Sequence, residues 1–64
     1  MEAYQQRVVD EKTELDEKHS KLGDFLSTTV FDGLPRVQRE LLLIQYFVMG
    51  QYSQVLAQRI NLFE

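Results

Sequence analysis

The sequence contains no cysteine and no tryptophan, a single histidine and a single proline in 64 residues. Without cysteine it forms no disulfide, and one histidine alone gives no basis for a metal site of the usual kind. The length predicts one small domain, residues 1–64, which would bury only about 60% of its unfolded surface. Since small chains without disulfides or metals usually gain stability by oligomerisation, we expect self-assembly. The lack of cysteine also fits a reducing cytoplasm.

Charge is absent from a long stretch near the C-terminus. Leu41–Gln58 contains none, and Arg59 is the sole charged residue between Glu40 and Glu64. A helix in water normally carries charges on its outer face, so this stretch predicts a helix that is covered on most sides. An isolated cation at its end is costly unless a carboxylate or a phosphate meets it. The pattern indicates self-assembly and an anionic ligand.

The sequence predicts neither a membrane span nor a DNA- or RNA-binding surface. Its first twelve residues lack a basic segment followed by an apolar core, so they do not predict a signal peptide. Leu41–Gln58 approaches the length of a membrane span, but four glutamines and a serine interrupt it. The net charge of −3 disfavours broad nucleic-acid binding. It still permits a small phosphate ligand held by two or three focused cations.

Residues 2–26 predict a first helix. One set of apolar residues recurs every seven positions: Val8, Leu15 and Leu22. An adjoining set has the same spacing: Tyr4, Glu11, Lys18 and Phe25. Repeats of this kind are typical of a coiled-coil seam. Glu11 and Lys18 either set the register within that seam or lie on the flank of a wide helix face. Gly23 is a weak point in a helix that we expect to continue to Leu26.

A second helix is predicted from about residue 35 to residue 62, after turn-forming residues 32–35. Its first apolar stripe contains Val37, Leu41, Ile44, Val48, Val55 and Leu62. Its second stripe contains Tyr52, Leu56, Ile60 and Phe63. One partner helix covers one stripe, so two stripes need more than the first helix. The expected fold is all-α: two long helices in a hairpin with a short helical connector, assembling into a homo-oligomer. Gly50 suggests a kink or a close crossing between protomers.

The sequence shows no arrangement typical of an enzyme. His19 lies within EKHSK, on a helix face that we expect to be solvated, and no nucleophile stands at a motif spacing from it. No glycine-rich phosphate loop, HExxH or GxSxG occurs. We therefore expect a protein that is not an enzyme and that uses no cofactor and no metal.

Five residues are candidates for ligand binding. Tyr4 is a flat ring available to stack on a base. Arg7, Lys18 and Lys21 could reach phosphates or lie over a ring face. Arg59 is the isolated cation of the apolar helix. The alternatives are a seam position for Tyr4, ordinary surface charge for the lysines, and an ion pair with the last residue or a neighbouring chain for Arg59.

Several blocks of the sequence resemble a family of small phage proteins. They are YQQRVVDEK (residues 4–12), ELDEK (14–18), KL (21–22), the FxxL connector (31–34), and Tyr52-Ser53, Leu56, Arg59-Ile60 and Phe63. The family is that of the type 2 anti-CBASS proteins, which are sponges for cyclic-oligonucleotide signals. The resemblance covers nearly the whole chain.

The resemblance implies a hexamer that sequesters cyclic nucleotides in the cytoplasm of the infected host. In that family a tyrosine stacks on a base of a cyclic dinucleotide, such as cyclic GMP–AMP, and a lysine of the paired protomer packs from the other side. Tyr4 matches that tyrosine, and Lys18, or else Lys21, matches the lysine. Arg59 matches an arginine that meets cyclic trinucleotides on a three-fold axis. The rival interpretation is a structural coiled-coil or adaptor module that binds another protein.

Overall fold

The chain forms a helical hairpin. The computed structural model describes residues 1–63, with α1 at Ala3–Leu26, α2 at Thr29–Asp32 and α3 at Arg36–Asn61. The two long helices pack antiparallel, since Tyr4 meets Phe63 at one end and Gly23 meets Tyr46 towards the other. The expected all-α hairpin with a helical connector is confirmed, and each long helix begins and ends within one residue of its predicted bounds.

Local hydrogen bonds define where the helices begin and end. The backbone N–H of Glu2 donates to Oε1 of Gln5 at 2.9 Å, which satisfies one of the free donors at the start of α1. After α1, the Thr28 hydroxyl donates to the carbonyl of Phe25 at 2.7 Å and accepts the N–H of Phe31 at 3.3 Å. One threonine therefore ends α1 and caps α2. Phe31 is buried, and its ring meets Phe25 edge to face.

The interface between α1 and α3 corrects the predicted second seam of α1. Val8, Leu15 and Leu22 do face α3, and Val8 is buried. The second inward line, however, is buried or half-buried and mostly polar: Gln5, Lys12, His19 and Leu26. Glu11 and Lys18 are exposed, so they lie on the flank of the helix rather than in the seam.

His19 is not on a solvated face, as the sequence had suggested. Its half-buried ring stacks on Tyr46 of α3, with centroids 4.2 Å apart and the planes 27° from parallel. The ring also lies against Gly50, where an added Cβ would be 3.4 Å from two atoms of the His19 imidazole, an ordinary van der Waals contact. The close approach at Gly50 is therefore a contact within the chain. Gly23 lies against the Tyr46 ring, where an added Cβ would be 3.0 Å from Cε2. As expected, α1 continues past Gly23 to Leu26.

A polar contact also joins the two long helices at Asp16. Its carboxylate accepts from Lys12 Nζ at 2.6 Å and from the Ser53 hydroxyl at 2.5 Å. The hydrogen bond from Lys12, followed by that from Ser53, lowers the pKa of Asp16 from its ordinary value of 3.8. Only the hydrogen bond from Ser53 crosses between the helices, and it is compatible with this alignment of α1 against α3.

One face of α3 is apolar and uncovered. In the second predicted stripe Leu56 is almost completely buried at 1% exposure, Ile60 and Phe63 are half-buried, and Tyr52 is exposed. The first stripe lies about 90° around the helix from the second, and each of its members is more than half exposed: Val37, Leu41, Ile44, Val48, Val55 and Leu62. We call these six residues the bare stripe. Within residues 1–63 no helix is both long and apolar enough to cross a membrane.

Candidate ligand-binding surface

All four candidate residues of α1 lie on one flank of that helix. Tyr4, Arg7, Lys18 and Lys21 are exposed. Because successive residues of an α-helix are rotated by about 100°, the four fall within an arc of about 100°. The arc borders the face that packs on α3. Tyr4 and Lys18, which the sequence pattern placed on one stripe of α1, both lie on this flank.

The Tyr4 ring is half exposed and contacts the side chains of Phe63 and Gln5. Its exposure is 54%, and it lies 5.9 Å from the Phe63 ring at an interplanar angle of 79°. Gln5 Nε2 donates to the Tyr4 hydroxyl at 3.4 Å, which is a long contact. The structure thus places Tyr4 at the margin of the hairpin and not within its seam. A ring in this position offers apolar surface on which a base can stack.

Tyr4 and Lys18 are far apart within one chain. Fourteen residues of α-helix separate them, which corresponds to about 21 Å. A small ligand cannot touch both from the same protomer. If both act on one ligand, the second side chain belongs to another copy.

Of the two lysines, Lys18 has the better surroundings for an anion. It lies about 40° around the helix from Tyr4, whereas Lys21 lies about 100° away. Lys21 borders a surface depression that it shares with Thr13, Ser20 and two carboxylates, Asp16 and Glu17. The carboxylates oppose the binding of a phosphate there.

Arg59 lies beside the bare stripe in the last turn of α3. It is exposed, and its neighbours one turn before and after are Val55 and Leu62, both members of the stripe. A cation in this turn also interacts favourably with the helix dipole. The alternative partner, Glu64, lies outside the described residues.

The structure adds two contacts that the sequence pattern did not reveal. Phe63 was assigned to an apolar stripe, and its contact with Tyr4 depends on how the two helices are aligned. Gln5 is 6% exposed, and a glutamine in a charged helix gives no signal of burial. Among residues 1–63, no group of three or more histidines and carboxylates is placed to hold a metal ion.

Comparison with known proteins places these features in a family. A family model described as Sequestin matches residues 2–62. The chain belongs to the Sequestin family. It is also 39% identical, over the full length of both chains, to an uncharacterized 7.5 kDa protein encoded in the denB–rIIB intergenic region of Enterobacteria phage T4. No solved structure matches the chain significantly.

The Sequestin match includes both long helices and all five candidate residues. The T4 relative likewise spans the whole chain, so the Tyr4 end of α1 and the Arg59 end of α3 both lie in the shared region. Membership of the Sequestin family and similarity to a small phage T4 protein agree with the resemblance to small phage proteins.

Proposed function

We propose that this Sequestin-family protein is a phage-encoded sponge of the type 2 anti-CBASS kind. It binds cyclic dinucleotides such as cyclic GMP–AMP, and through a second pocket cyclic trinucleotides, without cleaving them. Sequestration in the host cytoplasm keeps the CBASS effector inactive. The family's name, Sequestin, is consistent with such a role. The observation that carries the proposal is the half-exposed Tyr4 ring on the same flank of α1 as three exposed cations.

The dinucleotide site forms between two chains. When two α1 helices pack antiparallel, Tyr4 of one approaches Lys18 of the other, which removes the 21 Å separation estimated from the helical rise. A base then stacks on the tyrosine, and the lysine meets the ring face or a phosphate. Arg7, one turn from Tyr4, supplies a further cation for the phosphates. Two-fold symmetry presents the same pair to each half of a cyclic dinucleotide.

The bare stripe of α3 supplies the surface for assembly. Its positions follow alternating steps of four and three residues, with Gln51 and Gln58 filling the two gaps, and this is the spacing of a coiled-coil seam. A second copy of the same stripe is a matching partner, because neither carries a charge. Polar residues in such a seam favour one register and one oligomeric state. We propose that the assembled state is a hexamer.

The trinucleotide site lies where Arg59 residues of three copies meet. Three guanidinium groups around an axis repel one another strongly when water is excluded. A cyclic trinucleotide carries three phosphates, so each arginine gains a charge-assisted hydrogen bond and the repulsion is removed. The position of Arg59 beside the bare stripe supports this arrangement, since that surface is the one that assembly brings together.

An adaptor module is the second candidate, and the bare stripe favours it too. An amphipathic helix of another protein would cover the same apolar residues. In that case the wild-type protein alone stays monomeric and binds no cyclic nucleotide. The flank of Tyr4 and the three cations would then be ordinary surface.

Isothermal titration calorimetry with cyclic GMP–AMP and cyclic tri-adenylate tests the proposal. We expect saturable binding of the dinucleotide, and recovery of the intact cyclic ligand by chromatography after prolonged incubation. The linear dinucleotide of the same bases is the matched control and should bind more weakly, because it is not preorganised. Absence of heat and of any thermal shift with every cyclic ligand would rule the sponge out. A linear product would rule out the non-enzymatic role.

A further inference from the structure

The restraint on the Tyr4 ring comes from two side chains that do not themselves face the proposed ligand. We infer that Phe63 and Gln5 are positioning residues, which hold the Tyr4 ring in the orientation that stacks on a base of a cyclic dinucleotide. This inference rests on the function proposed above, and it assigns a role to the residues that follow α3 in a site otherwise built from α1. Phe63 is the stronger restraint, because its edge contact with Tyr4 is closer to ideal geometry than the 3.4 Å hydrogen bond from Gln5.

Tyr4 needs such a restraint because of where it lies. It belongs to the first turn of α1, where helices fray, and about half of its surface is open to water. A free ring in this position would sample several rotamers, and a stacked ligand would have to immobilise it. Ordering a side chain on binding reduces affinity, so a ring ordered beforehand binds more tightly.

The geometry with Phe63 restrains the ring without blocking it. The two planes are 79° apart with centroids at 5.9 Å, which is an edge-to-face pair. In such a pair Phe63 covers at most one face of Tyr4, so this contact leaves the other face available to a base. The 54% exposure of Tyr4 agrees with this.

Gln5 connects the ring to the start of the helix. Its amide is buried, and Oε1 accepts the backbone N–H of Glu2 at 2.9 Å while Nε2 donates to the Tyr4 hydroxyl. The amide cannot turn away from Tyr4 without also giving up the bond to Glu2. Order in the first turn is therefore linked to order of the ring.

The test replaces Phe63 and compares it with a matched aromatic pair elsewhere. Phe63→Leu keeps an apolar side chain but removes the ring, and it should weaken cyclic GMP–AMP binding by roughly three- to tenfold, the value of one edge-to-face pair. Phe63→Tyr keeps the aromatic ring and should bind cyclic GMP–AMP with wild-type affinity. Phe25→Leu is the control, because it breaks the similar pair of Phe25 and Phe31, at 6.2 Å and 83°, near the other end of the hairpin.

Spectroscopy separates positioning from a general loss of stability. In ligand-free protein, Phe63→Leu should shift the NMR signals of the Tyr4 ring and broaden its rotamer distribution, while Phe25→Leu leaves those signals in place. Gln5→Leu should weaken dinucleotide binding less than Phe63→Leu does. All variants are compared at a temperature where circular dichroism shows them fully helical.

The outcomes distinguish this inference from the proposed function. If the wild-type protein binds no cyclic dinucleotide, the proposed function is wrong and the positioning role falls with it. If the wild type binds, but Phe63→Leu binds equally well or is no weaker than Phe25→Leu, the positioning role alone is wrong. Unchanged Tyr4 signals in Phe63→Leu would overturn it as well.

Discussion

Tyr4 is the residue on which the dinucleotide site depends most directly. Stacking of a base on an aromatic side chain contributes about 1–3 kcal/mol by alanine substitution. We therefore expect Tyr4→Ala to weaken cyclic GMP–AMP binding by at least about fivefold, with cyclic tri-adenylate binding retained, as measured by calorimetry. Tyr4→Phe keeps the ring and loses only the long hydrogen bond to Gln5, so it should weaken binding much less than Tyr4→Ala. Equal losses for both ligands would contradict two separate sites.

Arg59 should show the opposite selectivity. Arg59→Ala removes the cation beside the bare stripe, so cyclic tri-adenylate binding and its dependence on salt concentration should both fall, while cyclic GMP–AMP binding stays. The matched control is Arg36→Ala, at the other end of α3, where the guanidinium is paired with Glu40 at 2.9 Å. Calorimetry at two salt concentrations measures the effect. Retention of trinucleotide binding in Arg59→Ala would exclude this arginine from the site.

Asp16 makes a contribution to stability that depends on pH. Its pKa is lowered in the folded state by the hydrogen bonds from Lys12 and Ser53, so folding favours the ionised form. The contribution is therefore present above the ordinary pKa of 3.8 and is lost as the pH falls through the lowered, folded value. Urea midpoints at pH 6 and pH 3 should differ less for Asp16→Asn than for the wild type.

The control for Asp16→Asn must change net charge without touching this network. Glu17→Gln does so, because Glu17 is exposed and lies at the next position of α1. A pH dependence that is the same in Asp16→Asn as in the wild type would mean that the contacts with Lys12 and Ser53 add nothing to folding.

At the scale of the helices, Gly23 and Gly50 each lie against a ring of the opposite long helix, Tyr46 and His19 respectively. Each alanine substitution should gain up to about 1 kcal/mol from helix propensity. At Gly50 the new Cβ would make an ordinary contact of 3.4 Å with His19, so the gain should be realised. At Gly23 it would lie 3.0 Å from Cε2 of Tyr46, and moving that ring disturbs its stack on His19. Urea unfolding at one protein concentration should rank Gly50→Ala above Gly23→Ala.

Removal of the Tyr46 ring provides the control for this comparison. In a Tyr46→Leu background the crowding at residue 23 is relieved, so the two alanine substitutions should give similar gains. If Gly23→Ala stabilises the original protein as much as Gly50→Ala does, the contact between Gly23 and Tyr46 is not a close one in solution.

The helices themselves were predictable from the sequence, because apolar periodicity and turn chemistry are local signals. The second seam of α1 was not. Its members include Gln5, Lys12 and His19, and each tolerates partial burial through a specific partner: the backbone of Glu2, the carboxylate of Asp16 and the ring of Tyr46. A pattern of apolar residues cannot reveal a seam whose members are polar.

The candidate site was predictable only in part. The exposed flank of α1 follows from helical spacing, and the structure places Tyr4, Arg7, Lys18 and Lys21 on it. The contact of Tyr4 with Phe63 depends on how α1 and α3 are aligned, which is set by interactions between residues distant in sequence. The partner residue for a ligand on Tyr4 belongs to another copy of the chain, and one sequence does not encode the arrangement of copies.

At the scale of the whole molecule, one hairpin is too open to be a complete globular unit. Its accessible surface is 5002 Å², whereas a compact monomer of 7.6 kDa has about 4300 Å². Its radius of gyration is 14.7 Å, compared with about 11 Å for a compact domain of this length. Most of the exposed large hydrophobic side chains of residues 1–63 lie on α3, and this is the physical basis for expecting assembly.

The bare stripe gives the sharpest test of that expectation. Val48 lies near its middle and is 54% exposed in a single hairpin, so a glutamate there would be hydrated and cost little in a monomer. In an assembly the same glutamate would be buried without a counter-charge, at a cost of several kcal/mol. We expect Val48→Glu to reduce the molar mass measured by sedimentation or light scattering, and to abolish binding of cyclic tri-adenylate, because the proposed trinucleotide pocket lies beside this stripe.

A matched charge outside the stripe separates this effect from a general one. Gln54→Glu adds the same charge to an exposed position of α3 that faces away from the bare stripe, so its mass and ligand binding should stay as in the wild type. If Val48→Glu keeps the wild-type mass, the bare stripe is not the surface at which copies meet. If the wild type is itself monomeric at micromolar concentration, both pockets lose their basis, and the adaptor role, with a foreign helix on the same stripe, becomes the better account of this surface.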